Sequence, residues 1–300
     1  MVAKILITRN LKLFFFDKGR LFTALITPGI LLILYTTFLG RVYRESFGGA
    51  WPAWPELIPV SDKLINGFVA GQLVSSLLAV SCVTVAFFAN VLMVEDKLSG
   101  VIEDFLITPV KPGMLNFCYF VATLLATLMI NFMAIAVGFT YIGLQGWFLS
   151  AGDVAATIGN VILLSLFGTA LSSVIFSFLN THGQISAVGT IVSAGYGFIC
   201  GAYMPISNFS VGLQRTLSFL PGTYGTSLLR RSLEDGVFRE MKAVGLPEAG
   251  VEGFKTAVDY YVEFFGKRVD LQGMYLVMFA SISLLLVVFL LLSKRKNYGK

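Results

Sequence analysis

Few side chains in this 300-residue chain are placed to do chemistry, and one stretch gathers four carboxylates. Between two long apolar blocks runs VEDKLSGVIEDFLITPVKP, Val94 to Pro112. It sets Glu95, Asp96, Glu103 and Asp104 against Lys97 and Lys111, for a net charge of −2. Read as one helix, its apolar residues Val94, Leu98, Val101, Ile102, Phe105 and Leu106 form a single stripe. Glu95, Ser99 and Glu103 run along one edge of the polar face, with Asp96 and Asp104 beside them. Pro109, Pro112 and Gly113 are expected to stop the helix before the next apolar block. An anionic membrane surface attracts basic segments and repels acidic ones. The acidic face therefore suits a protein surface better than lipid head groups; a merely solvated face is the alternative.

Other chemistries find no support. There is no GxxxxGK[ST] phosphate loop, so ATP is not expected to bind this chain alone. The one histidine, His182, lies in the turn-like NTHGQ and offers no HExxH or multi-histidine metal set. Cys82, Cys118 and Cys200 fall in apolar blocks without a CxxC pair, which reads as small buried hydrophobes rather than disulfides or zinc ligands. No catalytic residue and no metal are expected, and nucleic acid is not an expected partner.

The elements that must carry Val94–Pro112 are membrane helices. Hydrophobic residues make up 56% of the chain and charged ones 13%, against about 25% charged in soluble domains. Six blocks reach the ~20 apolar residues a span needs: Leu21–Gly40, Gly67–Met93, Met114–Leu144, Val154–Leu179, Gln184–Met204 and Gly273–Leu292. The fold expectation is thus all-α and integral to the membrane, one transmembrane domain over residues 1–300. None of the six blocks contains Asp, Glu, Lys or Arg. Ion-coupled carriers place such residues inside the membrane, so the energy for any transport is expected to come from a partner.

Lys and Arg in the short segments set the orientation. Lys4, Arg9, Lys12, Lys18, Arg20, Lys97, Lys111, Lys294, Arg295, Lys296 and Lys300 fall on one side, against Arg41, Arg44 and Lys63 in the short loops of the other. Both termini are therefore expected in the cytoplasm, with Trp51, Trp54 and Trp147 at the outer interface. The basic stretch 1–20, with Val2, Ile5 and Leu6 on one face, reads as an interfacial helix. Leu21–Gly40 is too long for the apolar core of a signal peptide, so it is read as a retained span.

Outside, residues 205–272 are too long for a plain connector. They read as two short helices broken at Pro221-Gly222, the first apolar enough to be re-entrant and dip back into the membrane, then an amphipathic helix through Val251, Phe254, Val258, Tyr261, Val262 and Phe265, a lid or a packing element. Gly189, Ser193, Gly197 and Gly201 recur every fourth residue, and Gly67 and Gly71 share that spacing, a pattern that lets helices or a second copy approach closely or lines a pathway.

Taken in order, these segments resemble the ABC-2 family, the membrane subunits of type V ATP-binding-cassette exporters of the multidrug and lipid type. RNLKLFFFDKGRLFTALITPGILLILYTTFLG, with Pro28, is similar to the family's connecting helix and first span. EDKLSGVIEDFLITPVKPG resembles its cytoplasmic signature through Glu95, Gly100, Glu103, Leu106 and Pro109. YMPISNFSVGLQRTLSFLPGTYGTSLLRRSL resembles the outer segment, with Pro205, Pro221, Tyr224 and Arg230 at the expected places. The likeness covers nearly the whole chain, and Glu234–Gln272 looks like an insertion relative to shorter members. It implies that two permease copies, identical or paralogous, pair with two separate ATPase subunits that hold ATP and Mg²⁺ in a bacterial plasma membrane. It also implies that Val94–Pro112 docks in the ATPase and that spans two and five border the pathway. The alternatives are a non-transport sensor or scaffold for such an ATPase, a polysaccharide exporter subunit, and, more weakly, a membrane-embedded transferase or protease.

Overall fold

The computed structural model describes residues 2–41, 61–108 and 110–295. Trp51, Trp54, Arg44, Pro109, Lys296 and Lys300 lie outside the described residues, as does the side chain of Leu106. The chain is a helical bundle. Helix α1 (Val2–Phe16) buries Leu6, Asn10 and Phe14, one residue per turn, against the bundle, and exposes Val2, Ile5, Leu13 and Phe16. Leu6 faces protein, so the expected lipid-facing trio is reduced to Val2 and Ile5. The Asp17 side chain accepts the Gly19 and Arg20 backbone N–H groups and starts α2 (Lys18–Leu34). A π-helical turn, Tyr35–Leu39, extends it.

Helix α3 (Asp62–Leu98) is the axis. Its 37 residues span roughly 55 Å at ~1.5 Å each, well beyond the ~30 Å hydrocarbon layer. It packs against α2 and four further helices: α5 (Pro112–Gln145), α6 (Ala151–Ser177), α7 (His182–Ile199) and α9 (Pro221–Ala243). Small side chains permit that crowding. A Cβ on Gly168 of α6 would lie 2.7 Å from the Cys82 carbonyl oxygen. Beyond α3 comes the short α4 (Val101–Leu106). The outer segment holds a 3₁₀ turn (Ile206–Asn208), α8 (Val211–Leu217), α9 and α10 (Glu248–Ala257). The antiparallel strands β1 (Glu263–Phe264) and β2 (Lys267–Arg268) follow, then α11 (Leu271–Arg295).

Among the described residues, four helices are long and apolar enough to cross a membrane: α3, α5, α6 and α11. The helices under the other two expected spans are shorter, 17 residues for α2 before its π turn and 18 for α7. The chain is thus an all-α, multi-pass membrane protein.

Four expectations need correction. Val94–Pro112 is not one helix: Gly100 adopts φ +81° and separates α3 from α4. Pro112 does not stop a helix but occupies the first turn of α5, where its missing N–H costs nothing. The amphipathic helix through Phe265 ends at Ala257, and Tyr261, Val262 and Phe265 belong to the hairpin region, whose turn uses the positive φ of Phe265 and Gly266. Of the two short outer helices, the break at Pro221 is present, but the second runs for 23 residues.

Candidate coupling site and outer cap

The end of α3 divides its charges between the interior and the surface. Asp96 is buried, and both its oxygens accept from the Arg9 guanidinium of α1, the Nη2–Oδ1 bond being 3.1 Å. The Tyr119 hydroxyl of α5 also donates to it. The Asp96 hydrogen bond raises the Arg9 pKa above its ordinary value, although partial burial acts the other way. Glu95 pairs with Arg20 of α2 at 2.6 Å. Lys97 donates to the Leu179 carbonyl, 3.3 Å away, and to Asn180 in the turn between α6 and α7. Consecutive residues thus fasten α3 to α2, to α1 and α5, and to the α6–α7 turn.

Helix α4 continues that division. Ile102 is buried in the main core with Leu6, Val94 and Leu115. Phe105 packs against the same core, and the Arg9 guanidinium lies 5.3 Å from its ring centre. The opposite side exposes Glu103 and Asp104, with Leu98 and Ile107 flanking them. No ion pair holds Glu103 or Asp104 among the described residues. The expected continuous acidic edge is therefore split: Asp96 faces the bundle interior, Glu95 pairs within the chain, and Glu103 and Asp104 remain on the surface. Periodicity could not reveal the split, because the left-handed Gly100 rotates α4 relative to α3.

The family model described as ABC-2 type transporter matches residues 1–233. The chain belongs to the ABC-2 type transporter family. The match stops short of the near-complete coverage expected from the sequence, leaving Glu234 onward outside it. No curated protein matches the chain. An ABC-2 domain is the permease component of an ABC transporter, not its catalytic ATPase. ABC-2 permeases generally partner with ABC ATPase subunits.

The ABC-2 chain's fourth-residue ridge in the fifth expected span does not form one surface. A Cβ on Gly189 would meet only Phe88, at 3.6 Å. Gly189 and Ser193 line an open groove of about 520 Å³ between α2, α3 and α7. A Cβ on Gly197 would lie 2.3 Å from the ring of Tyr203, a neighbour in its own chain segment. Gly201, at φ +75°, lies beyond the end of α7. Gly67 packs on Gly146 and Phe148, and Gly71 on Leu233 and Glu234 of α9.

Helix α9 holds three outer residues singled out in the sequence, Pro221, Tyr224 and Arg230, and a buried acid that the sequence reading missed, Glu234. Pro221 opens it, the Tyr224 hydroxyl donates to the Ser218 carbonyl (2.8 Å), and Pro205 precedes the 3₁₀ turn. Arg230 is buried and donates to the Gly201 carbonyl (2.5 Å) and to Asp259 (3.4 Å). Glu234, one turn on, is fully buried, and its carboxylate has no hydrogen-bond partner among the described residues. The side-chain nitrogen of Asn160 in α6 donates to the Leu228 carbonyl (3.0 Å), and its oxygen accepts from the Tyr275 hydroxyl of α11 (2.9 Å). The spans lack charge, but the packed interior does not. The available signal was Gly222, Gly225 and Gly236 on α9, each with a neighbour within 2.7 Å of a would-be Cβ.

Proposed function

We propose that this chain is the membrane-spanning subunit of an ATP-driven exporter. It moves an amphipathic or hydrophobic molecule, such as a drug, lipid or peptide, outward across a plasma membrane. Two permease copies, identical or paralogous, work with two separate ATPase subunits that hold ATP and Mg²⁺. Both termini lie in the cytoplasm, α2 and α7 complete six spans, and residues 205–272 cap the outer side.

The observation that carries this reading is the two-sided tip at α4. Ile102 and Phe105 seat one side in the permease core, while Glu103 and Asp104 project from the other without partners among the described residues. Exposed carboxylates on an anchored element suit a basic groove of a partner protein better than an anionic membrane surface. The test is a Glu103→Lys, Asp104→Lys double variant expressed with the ATPase. The expected result is normal membrane insertion with loss of co-purification and of ATP-driven efflux. A variant complex that assembles and turns over like the wild type overturns this docking face. Vesicles whose wild-type complex hydrolyses ATP yet moves no amphipathic probe overturn the exporter assignment.

A further inference from the structure

A cavity of about 230 Å³ lies in the outer segment, between the 3₁₀ turn, α8, α9 and the β hairpin. At roughly 30 Å³ per water, it has room for a small polar group of several heavy atoms. Its walls are charged. Arg230 stands inside, fixed by the Gly201 carbonyl and Asp259. The Asp259 carboxylate is already occupied, since it also accepts the Ile206 and Ser207 backbone N–H groups. Arg268 forms a second wall: its guanidinium lies 4.5 Å from the Tyr261 ring centre, pairs with Glu252 at 3.1 Å and donates to the Thr256 hydroxyl. Glu263 is different: it also lines the cavity, is half exposed, and its one ion pair among the described residues, to Arg268, spans 4.0 Å. The cavity thus offers fixed guanidinium groups beside a lightly held carboxylate.

Next to the lining residues Ser218 and Glu263 stand Phe219, Phe264 and Phe265, whose rings pack edge to face with centroids 5.0–5.8 Å apart. All three are exposed. The exposed rings form an apolar surface beside the polar cavity, one on which a hydrocarbon tail can lie.

We propose that this cavity binds the zwitterionic head group of an amphipathic molecule. Its anionic part meets Arg268, its ammonium meets Glu263, and its hydrocarbon tail lies over Phe219, Phe264 and Phe265. A bilayer phospholipid and an exported amphipath share this chemistry. The site is independent of coupling to an ATPase, so it is measured on the purified full chain without nucleotide.

The probe is dioctanoyl-phosphatidylethanolamine, compared with dioctanoyl-phosphatidylglycerol, which lacks the ammonium, and with free phosphoethanolamine, which lacks the tail. The expected result is ~10-fold tighter binding of the first than of either other probe, the size of one charge-assisted contact. Glu263→Gln, a change at an exposed position, is expected to reduce the ethanolamine lipid to the affinity of the glycerol lipid with no change in thermal stability. Equal binding of the two lipids by the wild type, or an undiminished preference in Glu263→Gln, overturns the proposal. With the site established, ATP addition to complex-bearing vesicles separates the sources. Release of a labelled probe to the far side marks cargo, and retention marks a resident lipid.

Discussion

Asp96→Asn tests the division of charge at the end of α3. In the wild type the carboxylate is buried and receives two guanidinium N–H groups and the Tyr119 hydroxyl. The asparagine keeps the shape but loses the charge and turns one acceptor into a donor facing Arg9. A hydrogen bond to a charged partner contributes about 1.5–3 kcal/mol. The Arg9 side chain retains 29% exposure, so part of its charge can be rehydrated, which places the cost near the lower end, about 2 kcal/mol. For a chain of this size that is a fall in melting temperature of roughly 3 °C. Arg9→Gln should fall by a similar amount, and the double variant by less than the sum, leaving a coupling of ~1 kcal/mol.

The assay is heating of detergent-solubilised protein followed by size-exclusion of the surviving fraction, alongside co-purification with the ATPase. Glu103→Gln is the control, with stability unchanged and association weakened. The reasoning is refuted if Asp96→Asn melts like the wild type but no longer holds the ATPase. Asp96 would then face the partner, and the ion pair with Arg9 would not be a fixed part of the bundle.

Three further outcomes follow from the same packing. Gly236→Ala brings a Cβ within 2.1 Å of the Phe148 carbonyl oxygen and should destabilise by about 1–3 kcal/mol. Gly189→Ala, with ordinary contact at 3.6 Å, should melt within ~0.5 kcal/mol of the wild type, and equal melting of the two variants would contradict the packing. Glu234→Gln should leave the melting temperature unchanged or raise it, since the buried carboxylate has no donor among the described residues; a clear loss of stability would mean that the charge is satisfied. Burial pushes the Glu252 carboxyl up, but bonds from Lys255, Tyr261 and Arg268 outweigh it and leave the pKa below the ordinary value. A depressed acid stabilises the fold above its unfolded pKa of about 4.3 and loses that contribution as pH falls through the folded value. Hydrogen exchange in the 263–268 hairpin should therefore quicken, after correction for intrinsic rates, between pH 7 and pH 3, and an unchanged corrected rate counts against the Glu252 network.

Hydropathy made the bundle legible because a membrane helix must be apolar for most of its length, whatever it packs against. Helices α3, α5, α6 and α11 follow directly from that rule. The partners of polar residues were not legible, since nothing local records them. Arg9 and Asp96 lie 87 positions apart, and each looks like an ordinary charge at the edge of an apolar block. Helix α9 was misjudged for a related reason. Its arginines and acids placed 205–272 outside the spans, whereas Gly71 of α3 packs on Leu233 and Glu234, Gly225 of α9 lies close against Leu164 of α6, and Arg230 and Glu234 are buried. The stretch Val94–Pro112 was half legible. Its apolar stripe gave the buried faces of Ile102 and Phe105, but one left-handed glycine decided which acids stay outside.

That glycine also fixes where a force from outside would enter. Residues 95 to 97 tie α3 to α2, to α1 and α5, and to the α6–α7 turn. A displacement of the α3 end cannot be taken up by one side chain; it must move those neighbours together or break a charged contact. At Gly100 φ is +81° and nothing lies within 4 Å of a would-be Cβ, so this is the point where α4 can swivel without collision. A partner that merely swivels α4 about Gly100 leaves the bundle unmoved. A partner that draws Glu103 and Asp104 far enough to carry Ile102 and Phe105 with them acts on the Arg9–Asp96 pair, because Phe105 and Asp96 both contact the Arg9 guanidinium. Arg9 is therefore a residue through which motion of the acidic tip reaches α1, beside the core that Ile102 shares with Leu6.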